Sequence, residues 1–289
     1  GWSKYESRWR STGTKKPLSV SKKIWEPGKQ QRVLLWPEQG IGDEVMFASL
    51  MHDLHASCSK LIVWSDQRLI PIFRRSFPND IEFRSRNKCV SEDEYDAHIP
   101  MGSLPQHFRP NLNSFEAASK GYLCPDKKKA ARIRSDILQG GPETLVGISW
   151  NSNSSLRGSK KRTIPLNKIA NTLNTTNLKL VSLQYGNVEQ EIVDLQKDLG
   201  IEVIQVLGVD NKEDIDGLLA VMSACDKIVS IDNLTVHLAG AIGKDTKALL
   251  PYSCDWRWGR KRSNSYWYDS VRLYQQTQIG DWGDVLEKL

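Results

Sequence analysis

Apolar positions in this chain come in short blocks separated by turn residues, and the blocks alternate between two spacings. Arg32–Trp36 is a compact apolar run closed by Pro37 and Gly40, which predicts a buried strand. Residues 43–57 then carry Val45, Phe47, Ala48, Met51 and Leu54 at helical spacing. Residues 61–64 predict a second strand, 68–77 a second helix, and 81–83 and 97–99 two weaker strands. Lys127–Leu138 reads as a helix stopped by Gly140, Gly141 and Pro142. The alternation then restarts: strand 145–150, helix 167–173, strand 178–183, helix Glu189–Leu199, strand 203–206, helix 213–224, strand Lys227–Ile231, helix 234–242, and a last buried strand at 248–250. Residues 1–10 read as one helix with Trp2, Tyr5 and Trp9 on one side, 12–27 as a polar linker, and 281–289 as a short closing helix.

This grammar predicts an α/β chain with two Rossmann-like, doubly wound parallel sheets in series. A cleft between the two domains is expected, with ligands at the carboxyl ends of the strands. The expected divisions are 1–28 (terminal helix and linker), 29–141 (first domain), 142–276 (second domain) and 277–289 (a closing helix packing back on the first domain).

Composition narrows the class. Hydrophobic residues make up 39% and charged residues 26% of the 289 positions, the balance of a globular protein. No apolar run is long enough to span a bilayer, and no signal-peptide pattern opens the sequence. The five cysteines are odd in number and widely spaced, with no zinc-binding spacing, so a reduced cytoplasmic protein is expected. A net charge of +6 favours anionic ligands in general. Without a zinc finger, basic zipper or RNP motif, nucleic acid is not expected among the partners.

Several segments carry chemistry. Glu38-Gln39-Gly40-Ile41-Gly42-Asp43 follows the first strand and opens the first helix. Gly40 and Gly42 let the backbone turn sharply and approach a ligand. Two readings fit Asp43: a cap for its own helix, or a carboxylate presented to the cleft. The string lacks the third glycine of a dinucleotide fingerprint and the Gly-Lys-Ser/Thr of a P-loop. In the second half, Asp232-Asn233-Leu234-Thr235-Val236-His237 ends a strand and starts a helix, whose N–H groups and dipole suit a diphosphate. Thr235 adds a hydroxyl and His237 either reaches the same anion or is structural. Arg157, Lys160, Lys161 and Arg162 either clamp phosphate or form an ordinary solvated loop. Gln184 and Trp150, at strand ends, and Asp232 are candidates for the nucleoside. The Asp214-Ile215-Asp216 string is read as a helix start rather than a metal motif. Trp256 lies in an aromatic segment (Tyr252, Trp256, Trp258, Tyr266, Trp267, Tyr268) that suits either stacking on a sugar or base or packing.

Together these segments resemble the bacterial glycosyltransferases that follow tetratricopeptide repeats, relatives of the lipopolysaccharide heptosyltransferases. The matching pieces are Tyr5-Glu6-Ser7-Arg8-Trp9, Leu35 through Asp43, Ser103-Leu104-Pro105, Val181 through Gln184, Asp232 through Gly243, and Asp255-Trp256-Arg257-Trp258 with Trp267-Tyr268. The resemblance implies a GT-B fold, an inverting reaction, no metal or other cofactor, and a nucleotide-sugar donor. It implies Asp43 as general base and the 232–237 segment as holder of the donor phosphates. Asn233 stands where Thr or Ser is usual. Glu44 stands where Thr or Val is usual, either raising the pKa of Asp43 or facing solvent. Gln39, Glu44, His98, Ser103 and Trp256 are candidate contacts to sugar or acceptor. The opening helix resembles the end of a repeat array, which implies a protein acceptor, Ser or Thr of a flagellin-like protein, presented by repeats upstream. The alternatives are a lipopolysaccharide or other glycan acceptor, and a binding module of the same fold without chemistry.

Overall fold

A computed structural model describes residues 1–10, 16–118, 121–152 and 159–289. The chain forms two compact units, residues 1–118 and 119–289. The strands of the first unit are β1 (Lys23–Ile24), β2 (Arg32–Trp36), β3 (Lys60–Ser65), β4 (Glu82–Ser85) and β5 (Ala97–Pro100). They form one parallel sheet in the order β1-β5-β2-β3-β4. Its helices are α1 (Trp2–Tyr5), α2 (Ile41–Ala48), α3 (Met51–His55), α4 (Ile70–Ser76) and α5 (Pro105–Phe108). β2 is central and apolar on both faces, with Val33, Leu34 and Leu35 at most 1% exposed, as a strand covered on both sides must be.

Three expectations for this unit change. The single helix predicted for 43–57 is broken into α2 and α3. The Ser49 hydroxyl donates to the Met46 carbonyl at 2.7 Å, drawing on the helix's own acceptors at the break. The predicted linker contains β1, and Trp25 beside it is fully buried, its backbone N–H on the His98 carbonyl and its ring stacked on Phe108 at 6.0 Å. The predicted opening helix is α1 followed by a 3₁₀ turn, Glu6–Trp9, and it packs into the first unit: the Trp2 indole N–H donates to the Arg109 carbonyl and Trp9 meets the Trp36 ring at 5.8 Å.

The second unit contains α6 (Lys127–Leu138), β6 (Thr144–Ser149), α7 (Leu166–Leu173), β7 (Leu178–Ser182), α8 (Glu189–Leu199), β8 (Val203–Ile204), α9 (Ile215–Ala224), β9 (Lys227–Ile231), α10 (Leu234–Ala241), β10 (Thr246–Leu250), β11 (Val271–Gln275) and α11 (Gly283–Leu286). All its strands are parallel, in the order β11-β10-β9-β6-β7-β8. That is the Rossmann winding, whose direction reverses between β6 and β9.

The division between units falls before α6, not at residues 141–142. α6 packs along α9: Lys129 pairs with Asp214 at 3.2 Å, and Arg134 donates to the Ala224 carbonyl and to Asp226. The closing helix is also corrected. Trp282, Val285 and Leu286 are buried in the second unit's own core with Trp150, Ile164 and Leu166. The last strand is β11, hidden from the apolar pattern because alternate residues are exposed or half-buried. Its outer edge is covered by a strap: Leu273 N–H donates to Ser263 O, Ser265 N–H to Val271 O, and Asn264 bridges Arg272.

Candidate functional site

Two places in the chain have the geometry that open α/β sheets use for ligands, the carboxyl ends of strands where the winding reverses. In the first unit that place is the end of β2 beside β5. Gly40 is the N-cap of α2, in extended conformation at φ −78, ψ 166. Neither Gly40 nor Gly42 is in the left-handed region, so the expected sharp turn is not what they provide. Asp43 stands in the first turn, half-buried, and its Oδ2 accepts the Gly40 N–H at 3.2 Å. The cap interaction is therefore made, by one oxygen of the carboxylate.

Glu44 does not face solvent. It is 1% exposed; Oε2 accepts from the Ser65 hydroxyl and the Asp66 N–H, and Oε1 pairs with Arg86 at 3.2 Å. Burial pushes its pKa up to about 7 against the pull of these partners. Its bonds tie α2 to the end of β3, so it is corrected from a sugar contact to a buried strut. His98 is also buried: Nδ1 accepts the Trp36 indole N–H at 3.0 Å, and burial lowers its pKa. Ser103 is buried in contact with Glu6 and Arg8, and Gln39 donates to the Tyr5 hydroxyl.

In the second unit the β6/β9 reversal gathers most of the remaining candidates. Asn233 is the N-cap of α10: its Oδ1 accepts from Thr235 N–H at 2.9 Å and the Ser230 hydroxyl, while Nδ2 donates to Ser149 at 2.8 Å. An amide makes both the cap and the tie to β6, which a Thr or Ser hydroxyl would make less fully. Thr235 and Val236 are buried, 2% and 0% exposed, so the Thr235 hydroxyl is not presented at the surface. Asp232, 3% exposed, accepts the Trp258 indole N–H at 2.9 Å, and burial raises its pKa. Arg162 donates to the Asp232 carbonyl at 3.1 Å and lies 3.7 Å from its carboxylate. Arg157 and the Lys160 side chain lie outside the described residues.

His237 is corrected from an anion contact. It is 2% exposed, stacked on Trp258 at 5.2 Å, and both ring nitrogens are engaged. Nε2 faces Arg257 Nη1 at 3.3 Å. A guanidinium only donates, so Nε2 is the acceptor and the Nδ1–H donates to Tyr268 Oη at 3.0 Å. Burial, then the Arg257 charge, holds the imidazole neutral, well below its usual pKa. His237 thus positions Arg257, which the sequence offers only within the Asp255-Trp256-Arg257-Trp258 segment. The signal was present in Trp256-Arg257-Trp258, where an arginine stands between two tryptophans after a strand. Trp258 is buried and Trp256 is 45% exposed.

Gln184 and Trp150, the strand-end candidates for the nucleoside, are both tied into the protein. Gln184 Oε1 accepts from Trp150 N–H, Asn151 N–H and the Ser149 hydroxyl, and its Nε2 donates to the Asn151 and Tyr185 carbonyls. With both donor hydrogens committed, the side chain clamps the ends of β6 and β7 together. Trp150 is a core residue, 1% exposed, with its indole N–H on Glu191. A hollow of about 510 Å³ lies beyond β7 and β8, with Gln184, Tyr185, Gly186, Gly208, Asp210 and Asn211 among its lining residues. Asp214 caps α9 through the Gly217 N–H. Among the described residues no group of three or more His, Cys, Asp or Glu is placed to hold a metal ion. No helix among them is long and apolar enough to cross a membrane.

Two parallel α/β units in series, the second wound as a nucleotide-binding sheet, define the GT-B fold of glycosyltransferases. Among solved structures the chain is similar to E. coli ADP-heptose lipopolysaccharide heptosyltransferase II (TM-score 0.60, 13% identity, 89% of this chain and 97% of that one). It is similar in fold also to a glycosyl transferase of family 9 from Veillonella parvula (TM-score 0.59, 13% identity, 85% and 86%). No protein-family profile matches the sequence. By sequence it is 30% identical to Protein FlbA of Caulobacter vibrioides over 314 aligned positions. The chain spans about half the length of that curated relative, 51%, with all of its own length aligned.

Proposed function

We propose that the protein is an inverting glycosyltransferase that uses a nucleotide-sugar, with the donor held by the second unit and the acceptor hydroxyl activated by Asp43 of the first. The observation that carries this reading is the pair of guanidinium groups, Arg162 and Arg257, around Asp232 at the start of α10. A helix start and two arginines stabilise the negative charge that gathers on a departing nucleotide, the task a divalent ion performs elsewhere. The hollow beyond β7 and β8 suits the nucleoside, with Gln184, Tyr185, Gly186 and Asn211 at its wall. Asp43 stands in the first turn of α2, held there by the Gly40 N–H, and would take the acceptor proton as a placed base, a role worth about 10²–10⁴ in rate.

The proposed acceptor is a Ser or Thr hydroxyl of a protein, presented by repeats elsewhere in a longer chain. The fold shared with a heptosyltransferase of lipopolysaccharide favours, as second reading, a sugar hydroxyl of a glycan. A thermal-shift screen against ADP, UDP, GDP, CMP and their sugars tests donor binding. One nucleotide is expected to raise the melting temperature, by a free energy of about 2.7 kcal/mol at a hundredfold excess over Kd. Silence across the whole panel would overturn the reading. Binding without turnover or slow donor hydrolysis would reduce it to a binding module.

A further inference from the structure

The sheet reversal of the first unit is covered by a segment far from it in sequence. Arg8 has a side chain only 10% exposed, lying 4.7 Å from the Tyr5 ring centre and 4.4 Å from that of Trp9. From between them it reaches Glu6 at 2.7 Å, Glu38 at 3.2 Å, the Ser103 hydroxyl at 2.7 Å and the Tyr5 carbonyl at 3.3 Å. Glu38 is 3% exposed and belongs to the loop that leads into Asp43; burial raises its pKa and the Arg8 charge opposes that rise. Its other oxygen accepts the Gly102 N–H. A methyl group at Gly102 would fall 2.2 Å from the Glu38 carboxylate, so glycine is needed for the side chain to lie there. Gln39, next in the loop, donates to the Tyr5 hydroxyl; burial, with a smaller push from the nearby Asp43 charge, raises the phenol pKa to about 12.

We infer that the Trp2–Trp9 segment is a working wall of the Asp43 site, in which Arg8 and Tyr5 are positioning residues that hold the Glu38–Gly42 loop and thereby fix the Asp43 carboxylate. A segment that merely packed on this unit would have no reason to bury an arginine between two aromatic rings and set its charge against the buried carboxylate of this loop. Removing Arg8 strands the buried Glu38 carboxylate, and the loop relaxes toward water. The inference deepens the proposed function and rests on Asp43 being its base, but the contacts can be tested without any activity.

The test compares wild type with Arg8→Ala, Arg8→Lys and Tyr5→Phe by amide hydrogen exchange, with kinetics on whichever donor the thermal screen identifies. Arg8→Ala is expected to speed exchange at residues 38–43 at least tenfold while β2, β3 and β5 stay protected. Arg8→Lys, which keeps the charge but not the fork, is expected to recover part of that protection. In turnover, kcat should fall at least tenfold in Arg8→Ala with donor Kd unchanged, and Tyr5→Phe should shift the acidic limb of the pH profile. Unchanged exchange at 38–43 in both Arg8→Ala and Tyr5→Phe overturns the inference, as does a loss confined to donor affinity. If Arg8→Ala fails to fold, Tyr5→Phe and Ser103→Ala carry the exchange comparison. A wild type without transfer activity would defeat the functional reading and leave the exchange result standing.

Discussion

Arg257 and His237 behave as one device, because the neutral imidazole has nothing to offer an anion except the arginine it holds. Arg257→Ala is expected to weaken donor binding by about 1.5–3 kcal/mol, the range for a charged hydrogen bond, read by titration calorimetry. His237→Ala should weaken it less, and the double variant no more than Arg257→Ala alone; additive losses would separate the two residues. Glu44 makes a different prediction. Its folded pKa of about 7 lies above the ordinary value, so the stability linked to its protonation is full below about pH 4.5 and is lost as pH rises through 7. Glu44→Gln should therefore gain melting temperature relative to wild type between pH 5 and pH 8, and a constant difference across that range would refute the buried-acid account. These residues also show why sequence sees candidates better than roles. Gln184, Trp150, Glu44 and His237 stand at strand ends or helix starts where ligands bind. Whether such a side chain turns to the ligand or to its own backbone depends on contacts from Ser149, Glu191, Arg86 and Tyr268, which are remote in sequence.

Elements with a strong period were legible to within a residue or two. Arg32–Trp36, Lys127–Leu138, Glu189–Leu199 and Lys227–Ile231 form as expected because burial on one face or two fixes their apolar spacing. β1 and β11 were not legible: both are edge strands, one of two residues, and an edge needs no continuous apolar run. α10 illustrates a constraint the pattern could not reveal. A methyl group at Gly240 would lie 2.4 Å from the Tyr268 ring, whose hydroxyl accepts the His237 Nδ1–H. Gly240→Ala is expected to cost about 1–3 kcal/mol by overpacking and to weaken donor affinity with it; a stable variant with native affinity would show that the ring has room to move. α2 allows its cap to be separated from chemistry. Asn at position 43 still accepts the Gly40 N–H, so Asp43→Asn should melt within about 1 kcal/mol of wild type while kcat falls about 10²–10⁴-fold. Loss of folding instead would assign Asp43 to the cap alone.

At the scale of the molecule, the two units each carry their own sheet and core, and α6 decides where one ends. A fragment of residues 119–289 is expected to melt cooperatively by itself. A fragment of 142–289 bares the face of α9 that α6 covers and should bind a hydrophobic dye and melt broadly; equal melting of the two would return the boundary to residue 141. The strap of residues 263–265 along β11 has a consequence for the protein in concentrated solution. A parallel sheet that stops in open space offers its last row of N–H and C=O groups to any neighbouring chain, and here the protein's own backbone takes the places at Val271 and Leu273. A proline at Ser265, which cannot donate to Val271, would reopen the rim. The expected result is slow association of one molecule with the next, visible as rising light scatter, from a chain whose melting temperature has scarcely moved.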